Sequence, residues 1–337
     1  MRQTIRRLRL LLVLGALLSL ARCGIEDSST QAMDVSALSW AKVAPEQITA
    51  AKKHGVPVAF ENELGMRFVL IPAGTFLRGT PSDEVRWSWE TRQHAVTISR
   101  PFYMAIFEVT NGQFRAFRPD HDSGADTGFG YGNFGAARTA ENDLNGDRQP
   151  AVRIPDVDAM AFSRWLGMRE RGRSYALPNE AEWHYACRAG SSTTFAWGDN
   201  PADAAKYANV FDGKRRDRLA MGALVASPPF LRHVEDDGFI VTAPVGSYLP
   251  NAWCLFDMHG NASEWCRDWD SKLTAEAVSD PQGPETGEKR VTAGGNFYDE
   301  MYFQRASSRS SRTGGSGSGV PMIGFRLVSP LPDPGER

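Results

Sequence analysis

The stretch FDMHGNASEW, residues 256–265, places an aspartate, a histidine, an asparagine and a glutamate around one glycine and ends on a tryptophan. Gly260 and Asn261 allow a tight turn that points backbone carbonyls inward, between the anionic side chains of Asp257 and Glu264. Carboxylate and carbonyl oxygens are the ligands that Ca²⁺ prefers, in sets of about six to eight. A single histidine without partners does not indicate a transition metal. On the residues alone, a calcium-binding turn and a solvated polar turn both fit this pattern.

The composition of the chain is that of an ordinary globular protein. Its 337 residues are 42% hydrophobic and 23% charged, and the formal net charge is −2. This length suffices for one large or two medium domains. Nucleic-acid backbones are bound by clustered basic residues, and the near-neutral balance offers no basic face. We therefore expect no nucleic-acid partner.

The N-terminus has the pattern of an export signal. Four arginines precede an apolar run from Leu10 to Ala21, which is shorter than the roughly 20 residues needed to span a bilayer. We predict that residues 1–22 are an export signal peptide, with a retained membrane anchor as the alternative, and that the protein is periplasmic or located in the cell envelope. The residues before Cys23 resemble a bacterial lipobox, from which Arg22 departs. Lipidation of Cys23 and simple secretion both remain open, and only such a lipid would contact a membrane.

The remaining cysteines are Cys187, Cys254 and Cys266. An oxidising compartment permits a disulfide between two of them, but their spacing does not determine the pair. They do not have the spacing of a zinc site, and the chain contains no GxSxG, HExxH or P-loop motif. The six histidines are scattered along the chain. No nucleophilic dyad is therefore evident.

Hydrophobic periodicity and turn residues predict short strands, a few helices and long loops. Residues 66–80 indicate a strand, a turn and a second strand, and residues 94–110 indicate further strand. Helices are predicted over 111–117, 156–172 and 177–190, with Thr110 and Asn179 as N-caps for the first and last. The organisation that follows is an export signal over 1–22, a polar tether over 23–62, one α+β domain over 63–328 and a proline-rich tail over 329–337.

Five blocks of the sequence resemble the formylglycine-generating enzyme, or sulfatase-modifying factor, family. In chain order they are MRFVLIPAGTFLRGT, PFYMAIFEVTNGQFRAF, LPNEAEWHYACRAG, TAPVGSYLPNAWCLFDMHGNASEW and GGNFYDEMYFQRASSR followed by IGFRLV. The resemblance covers residues 63–328. It implies an α+β fold related to C-type lectins, with little regular secondary structure.

The resemblance also implies two calcium sites, in which side-chain oxygens alternate with main-chain carbonyls. The positions that match the family's ligands at the first site are Asn209, Val210, Asp237 and Phe239. Those that match at the second site are Asp257, Gly260, Ala262 and Glu264. For the turn at 256–265, the resemblance makes calcium binding the favoured interpretation over a solvated polar turn. His259 is not expected to be a ligand.

The chain departs from the family where the oxidase chemistry takes place. The family uses a pair of cysteines shortly after GGSF to bind copper and engage the substrate cysteine. This chain has GGNFYDEM, with Asn296 for the serine and Asp299 where the first cysteine would fall, and no cysteine beyond Cys266. A Cu(I) site needs thiolates, so we expect no copper and no conversion of cysteine to formylglycine by the family mechanism.

Three hypotheses about function remain. The first is a calcium-stabilised, exported domain without oxidase activity that binds a peptide, protein or glycan in the family groove, which is lined by Asn296, Tyr298 and Asp299. The second is a cysteine-independent oxidoreductase of the same superfamily, some of whose members depend on iron and others of which mature siderophore peptides in the periplasm. The third is a lipid-tethered envelope scaffold.

Overall fold

The computed structural model describes residues 38–331, apart from 83, 85, 87–89, 127–137, 171, 213–234 and 314–319. The chain divides into two units, Met1–Asp34 and Val35–Arg337. All described residues belong to the second unit.

The second unit contains short helices and strands joined by long loops. The α-helices are α1 (Pro45–His54), α2 (Asn111–Arg115), α3 (Asp156–Arg169), α4 (Glu180–Arg188) and α5 (Ala204–Tyr207). Two 3₁₀ turns cover Pro201–Asp203 and Met301–Gln304. The strands are β1 (Ala59–Glu61), β2 (Arg67–Ile71), β3 (Gly74–Arg78), β4 (His94–Ile98), β5 (Phe102–Ala105), β6 (Ser263–Trp269), β7 (Val278–Ser279), β8 (Lys289–Ala293), β9 (Ser310–Thr313), β10 (Ile323–Gly324) and β11 (Val328–Pro330).

The strands form three small sheets. The first has the order β1-β2-β5-β11 and is antiparallel throughout. The second has the order β10-β6-β8-β9, in which β10 and β6 are parallel, and the third has the order β3-β4-β7. In β2 and β5 most side chains on both faces are buried, so these strands are covered on both sides. Helices and strands mixed in this way form the α+β fold predicted from the sequence.

Helix α4 contacts strands of both the second and the third sheet. It begins where the sequence predicts, because the Asn179 side chain accepts a hydrogen bond from the backbone N–H of Glu182 at 2.6 Å. The carboxylate of Glu182 in turn accepts from the Asn179 N–H at 2.8 Å, which completes a capping box. Trp183 and Cys187 are both buried, as their spacing of four predicts.

The predicted strand–turn–strand over 66–80 corresponds to β2 and β3, whereas the strand pattern over 94–110 is interrupted between β4 and β5 and ends at Ala105. Helix α3 ends at Arg169, before Gly172. Among the described residues, no helix is long and apolar enough to cross a membrane.

The predicted polar tether over 23–62 is wrong for its C-terminal half. Residues 45–54 form α1, and the Gln47 side chain is buried and donates a hydrogen bond to the carbonyl of Leu70 at 2.8 Å. Strand β1 then pairs with β2. The alanine-rich, polar composition of this segment does not indicate that α1 and β1 pack against the rest of the domain. The tail prediction over 329–337 also starts too early, because β11 extends to Pro330.

Candidate functional site

Asp237 is hydrogen-bonded to two of the other residues that match the first calcium site. One oxygen of its carboxylate accepts a hydrogen bond from the backbone N–H of Val210 at 2.8 Å, and the other accepts from that of Phe239 at 3.0 Å. Asn209 is 1% exposed, and its Oδ1 atom receives no hydrogen bond from the described residues. A buried oxygen without a donor is costly unless something else coordinates it. Asp237 therefore holds Val210 and Phe239 together, and the adjacent Asn209 carries a buried oxygen without a donor among the described residues.

Two further aspartates lie beside Asp237. Ligand atoms of Asp212, Asp236 and Asp237 lie within 4.8 Å of one another. Asp212 is fully buried, and Asp236 is exposed. Burial raises the pKa of Asp237 to about 7, and the charges of Asp212 and Asp236 add to the shift. This concentration of hard oxygen donors fits Ca²⁺, and the family motif includes neither Asp212 nor Asp236.

The second predicted set touches the first. The backbone N–H of Asn261 donates to the carbonyl of Asn209 at 2.8 Å, and a Cβ atom on Gly260 would lie 2.0 Å from that carbonyl oxygen. Gly260 has φ +78°, so glycine is required there both by space and by backbone conformation. The Asn261 side chain accepts from Asn209 Nδ2 at 3.2 Å and donates to Glu108 Oε1 at 3.0 Å.

Asp257 faces a carboxylate that the sequence analysis did not single out. Its Oδ2 atom accepts a hydrogen bond from the Gly246 N–H at 2.8 Å, while its Oδ1 atom has no donor among the described residues. Glu108 lies within hydrogen-bonding reach of Asp257, and both side chains are at most 2% exposed. Burial first, and the charge of Asp257 second, raise the pKa of Glu108 well above its usual value. Glu108 follows a strand far from Asp257 in sequence, so no local pattern could have identified it.

Glu264 is occupied by other partners. Its two carboxylate oxygens accept from Arg326 Nε at 2.7 Å and Nη2 at 2.6 Å, and one of them also accepts from Trp183 Nε1 at 2.7 Å. Arg326 is fully buried and donates also to the carbonyl of Phe256 at 2.9 Å. This is a bidentate buried ion pair. Its role as a calcium ligand stays a prediction, and Arg326 competes for its oxygens.

His259 is a structural histidine. Its Nε2 atom accepts a hydrogen bond from the Ala196 N–H at 3.1 Å, and its Nδ1 atom lies 2.5 Å from the carbonyl oxygen of Gln304. Burial lowers the pKa of His259 to about 4, so the ring is neutral. Cys187 Sγ lies 3.5 Å from Nε2, but burial raises the pKa of this thiol to about 12. The pair is therefore not an activated nucleophile.

The predicted groove residues form one connected cluster. Asn296 Nδ2 donates to Asp299 Oδ2 at 2.7 Å, and Asn296 Oδ1 accepts from the N–H of Tyr298 at 2.9 Å. The Tyr298 hydroxyl makes a short hydrogen bond to the carboxylate of buried Asp126. Burial raises the pKa of Asp299 to about 6. Asn296 and Tyr298 are buried, whereas Asp299 as a whole residue is intermediate in exposure and its carboxylate is held by Asn296.

Thiols are absent from this cluster. Cys187, Cys254 and Cys266 are buried and free. Gln304 instead holds the turn, since its Nε2 atom donates to the carbonyls of Asn296 at 2.8 Å and Asp299 at 3.0 Å.

Residues 141–147 (ENDLNGD) place Asp143, Asn145 and Asp147 at alternate positions, a pattern that resembles half of a calcium-binding loop, and arginines contact all three side chains. Arg115 pairs with Asp147 at 2.6 Å and donates to the Asn145 side chain at 2.6 Å, and Arg138 pairs with Asp143 at 2.7 Å. These partners account for the alternating acidic pattern without a cation.

Comparisons with known proteins agree with the resemblance seen in the sequence. Residues 53–331 match the model of the sulfatase-modifying factor enzyme 1-like domain. A formylglycine-generating enzyme of Streptomyces coelicolor is 33% identical over 305 aligned residues, which cover 77% of this chain and 88% of that protein. A mouse protein described as an inactive C-alpha-formylglycine-generating enzyme 2 is 26% identical, covering 80% of this chain and 87% of its own.

A solved structure, that of PvdO from Pseudomonas aeruginosa, superposes with a TM-score of 0.63 and 29% identity, covering 81% of this chain and 98% of PvdO. Both the family model and the relatives span most of the described unit. The chain therefore belongs to the family of sulfatase-modifying factor enzyme 1-like domains.

Proposed function

We propose that this protein is an exported, calcium-stabilised member of the family that lacks copper-dependent oxidation of cysteine and binds a peptide, protein or glycan ligand. The observation that carries the proposal is the cluster around Asp299, where a carboxylate held by Asn296 stands in the place of the family's first cysteine. Carboxylate and amide groups are poor ligands for Cu(I). The three described thiols are buried, free cysteines, and burial raises the pKa of each.

The names of the relatives are consistent with a family that keeps the domain and in which some members lack oxidase activity. The same fold family includes proteins named as formylglycine-generating enzymes and one named as inactive. Loss of oxidase activity within the fold is therefore compatible with retention of the domain. We further propose that the strand arrangement is of the C-type-lectin type.

Calcium is proposed as the stabilising cation. Asn209, Asp237 and the carbonyls of Val210 and Phe239 would hold one ion, and the turn around Asp257, with Gly260 and Ala262, would hold the other. A bound ion at about 100 times its dissociation constant stabilises a fold by roughly 2.7 kcal/mol. Here it would hold together the loops that carry these residues.

A cysteine-independent oxidoreductase is the second candidate, and one contact favours it. The Tyr298 hydroxyl is hydrogen-bonded to the carboxylate of Asp126, and Tyr298 directly precedes Asp299 in the chain. The carboxylate holds the phenol hydroxyl in one orientation, and an oriented hydroxyl is a group that general acid–base chemistry can use.

Export, a periplasmic or envelope location and a lipid on Cys23 are proposed on the N-terminal pattern alone, since residues 1–37 lie outside the described residues. A lipid-tethered scaffold follows if Cys23 is modified and neither ligand nor substrate is found. Replacement of Cys23 by serine is expected to release the protein from membranes in cell fractionation.

The test combines a substrate assay and a binding assay. A cysteine-containing sulfatase peptide is incubated with Cu(I)-loaded protein, and mass spectrometry follows the loss of the thiol and the appearance of the aldehyde. The Streptomyces coelicolor enzyme is the positive control. We expect no aldehyde from this protein, and its formation would overturn the proposal.

Binding is measured by fluorescence anisotropy with labelled peptides and oligosaccharides. Asp299→Asn is the test variant, and Asp147→Asn, a carboxylate on a distant loop, is the matched control. We expect at least one probe to bind the wild type and Asp147→Asn with similar affinity. The same probe should bind Asp299→Asn more weakly. Equal binding by all three would remove this cluster as the ligand site.

A further inference from the structure

Helix α3 presents a mixed apolar and basic stripe to solvent. Val157, Ala161, Arg164 and Met168 follow one another at spacings of four, three and four, which places them on one helix face. Met168 is 77% exposed and Val157 is 51% exposed, and Arg164 is exposed as well. Single exposed apolar residues are common on protein surfaces. Here two large apolar side chains and a cation share one stripe, and none of its four residues is acidic.

The arginines at this face have no carboxylate partners among the described residues. The Arg164 side chain makes neither an ion pair nor a hydrogen bond with the part of the chain that the structure describes. Arg169 and Arg173 instead lie over aromatic rings, at 5.1 Å from the ring centre of Trp165 and 3.6 Å from that of Phe60. A guanidinium over a ring keeps its N–H donors at the ring's edge. These donors are available for an anionic partner.

Most acids near this face are neutralised within the protein. A depression of about 480 Å³ beside the end of α3 is lined by Arg169 and Arg173 and by three acids, Glu61, Glu63 and Glu170. Glu61 pairs with Arg67 at 2.9 Å. Glu170 is only 9% exposed and accepts a hydrogen bond from the Tyr175 hydroxyl. At the other end of α3, Asp158 pairs with Arg118 at 2.9 Å. Glu63 is the remaining exposed acid, so three arginines without a carboxylate partner face one exposed carboxylate.

The described chain begins at the edge of the same face. Trp40 follows two residues after its start and lies 5.2 Å from the guanidinium of Arg67, which pairs with Glu61 of the depression. If Cys23 carries a lipid, the 14 residues 24–37 allow at most about 50 Å between that lipid and this edge. A tether of this length would keep the face at a high local concentration beside a bilayer.

We propose that the exposed face of α3, together with Arg169 and Arg173, docks onto the surface of a bilayer that contains anionic phospholipid. Guanidinium groups match phosphate oxygens through paired hydrogen bonds, and Val157 and Met168 would enter the headgroup layer. A single acyl chain gives only marginal membrane binding, and a basic patch is a second signal that strengthens it. The sequence analysis expected membrane contact only through a lipid on Cys23, and this inference adds a contact on the folded domain. It depends neither on calcium nor on the Asp299 cluster.

The experiment uses full-length protein with Cys23→Ser and Met168→Cys, labelled with the polarity-sensitive dye acrylodan. The other three thiols are buried, so the dye reports on one position. Leu249→Cys is the matched control, because Leu249 is 53% exposed and lies outside α3. The apolar run at 10–21 is present in both proteins, so its own binding is common to them. Emission is recorded with vesicles of phosphatidylcholine and with vesicles of equal parts phosphatidylcholine and phosphatidylglycerol.

We expect the emission of labelled Met168→Cys to shift to shorter wavelength with the anionic vesicles and not with phosphatidylcholine alone. Labelled Leu249→Cys should keep its emission with both. In the Met168→Cys protein, Arg164→Glu and Arg169→Glu should each raise the lipid concentration at half-maximal shift at least about fivefold, because each arginine adds to the attraction of anionic lipid. Circular dichroism checks folding, and Arg164→Gln and Arg169→Gln replace any charge reversal that does not fold.

Three results would overturn the proposal. Unchanged emission at position 168 with anionic vesicles would mean that the face of α3 does not meet the bilayer and is left to a protein partner. Equal shifts at positions 168 and 249 would mean that the vesicles take up the chain without a preferred face. A shift at position 168 that persists undiminished in both arginine variants would mean that the headgroups are not bound by these arginines.

Discussion

Two clusters of buried carboxylates in this domain balance their charge differently. Glu180 lies 2.6 Å from Arg78 and 2.7 Å from Arg309, with His184 beside it. Burial alone would raise the pKa of Glu180, but the two arginines hold it well below its usual range. At the Glu108 cluster, formed by Glu108, Asp257, Glu264 and Arg326, a single arginine faces three carboxylates, and the pKa of Glu108 is raised.

The difference shows in which cluster arginines keep the buried carboxylate ionised. Arg78 and Arg309 keep Glu180 ionised although Asp268 and Asp270 lie beside them, so Glu180 functions as part of a structural ion-pair network. Around Glu108 and Asp257 a single arginine does not suffice, and one oxygen of each carboxylate has no donor among the described residues and stays vacant. Counting countercharges around buried acids therefore distinguishes a structural cluster from a candidate cation site better than counting the acids does.

The largest effect is expected from Arg326→Met. This change leaves three buried carboxylates without a cationic side chain, and breaking a buried pair in this way costs about 3–5 kcal/mol. Arg309→Met is the control, and it should cost less, because Arg78 still faces Glu180. Urea unfolding of both variants in calcium and in EDTA provides the free energies of unfolding, and equal losses would contradict the contrast drawn between the two clusters.

An effect of intermediate size on stability is expected when the pH is lowered, because His184 is buried in its neutral form. Burial lowers the pKa of this histidine to about 3. The unfolded chain therefore takes up a proton below about pH 6.5 that the folded chain does not, and stability falls as the pH falls. Between pH 6.5 and pH 5 this amounts to about 2 kcal/mol. Glu180 stays ionised throughout this window.

The variant His184→Gln isolates this contribution from those of carboxylates such as Asp268, whose pKa burial raises to about 6 and whose effect has the opposite sign. The free energy of unfolding of the variant, compared with that of the wild type at each pH, should lose this part of the acid dependence. Parallel pH profiles would mean that His184 takes up its proton in the folded state.

The smallest effect is expected from Asn179→Ala. Removal of the N-cap of α4, the helix that bears Glu180 and His184, should cost about 1 kcal/mol. Because the Asn179 side chain bonds to Glu182 and to no residue of the Glu108 cluster, the loss should be the same with and without calcium. Thermal melts in both conditions test this, and a calcium-dependent loss would couple α4 to the cation sites.

Much of the local structure could be predicted from the sequence. The cap at Asn179, the strand–turn–strand over 66–80 and the buried face of Trp183 and Cys187 all follow from patterns within a few residues. The docking of residues 45–62 could not be predicted, because it depends on single contacts such as that of Gln47 with the carbonyl of Leu70, 23 residues away.

The sequence by itself determined the family, the α+β class and the turn at Gly260, because ordered blocks and a glycine at positive φ are local properties of the chain. Only the tertiary structure placed Glu108 against Asp257, Arg326 against Glu264 and Tyr298 against Asp126. Side chains 62 to 172 residues apart meet in these clusters. Which carboxylate keeps a vacant oxygen and which is neutralised depends on such distant neighbours, since Coulomb interactions and desolvation act through space and not along the chain.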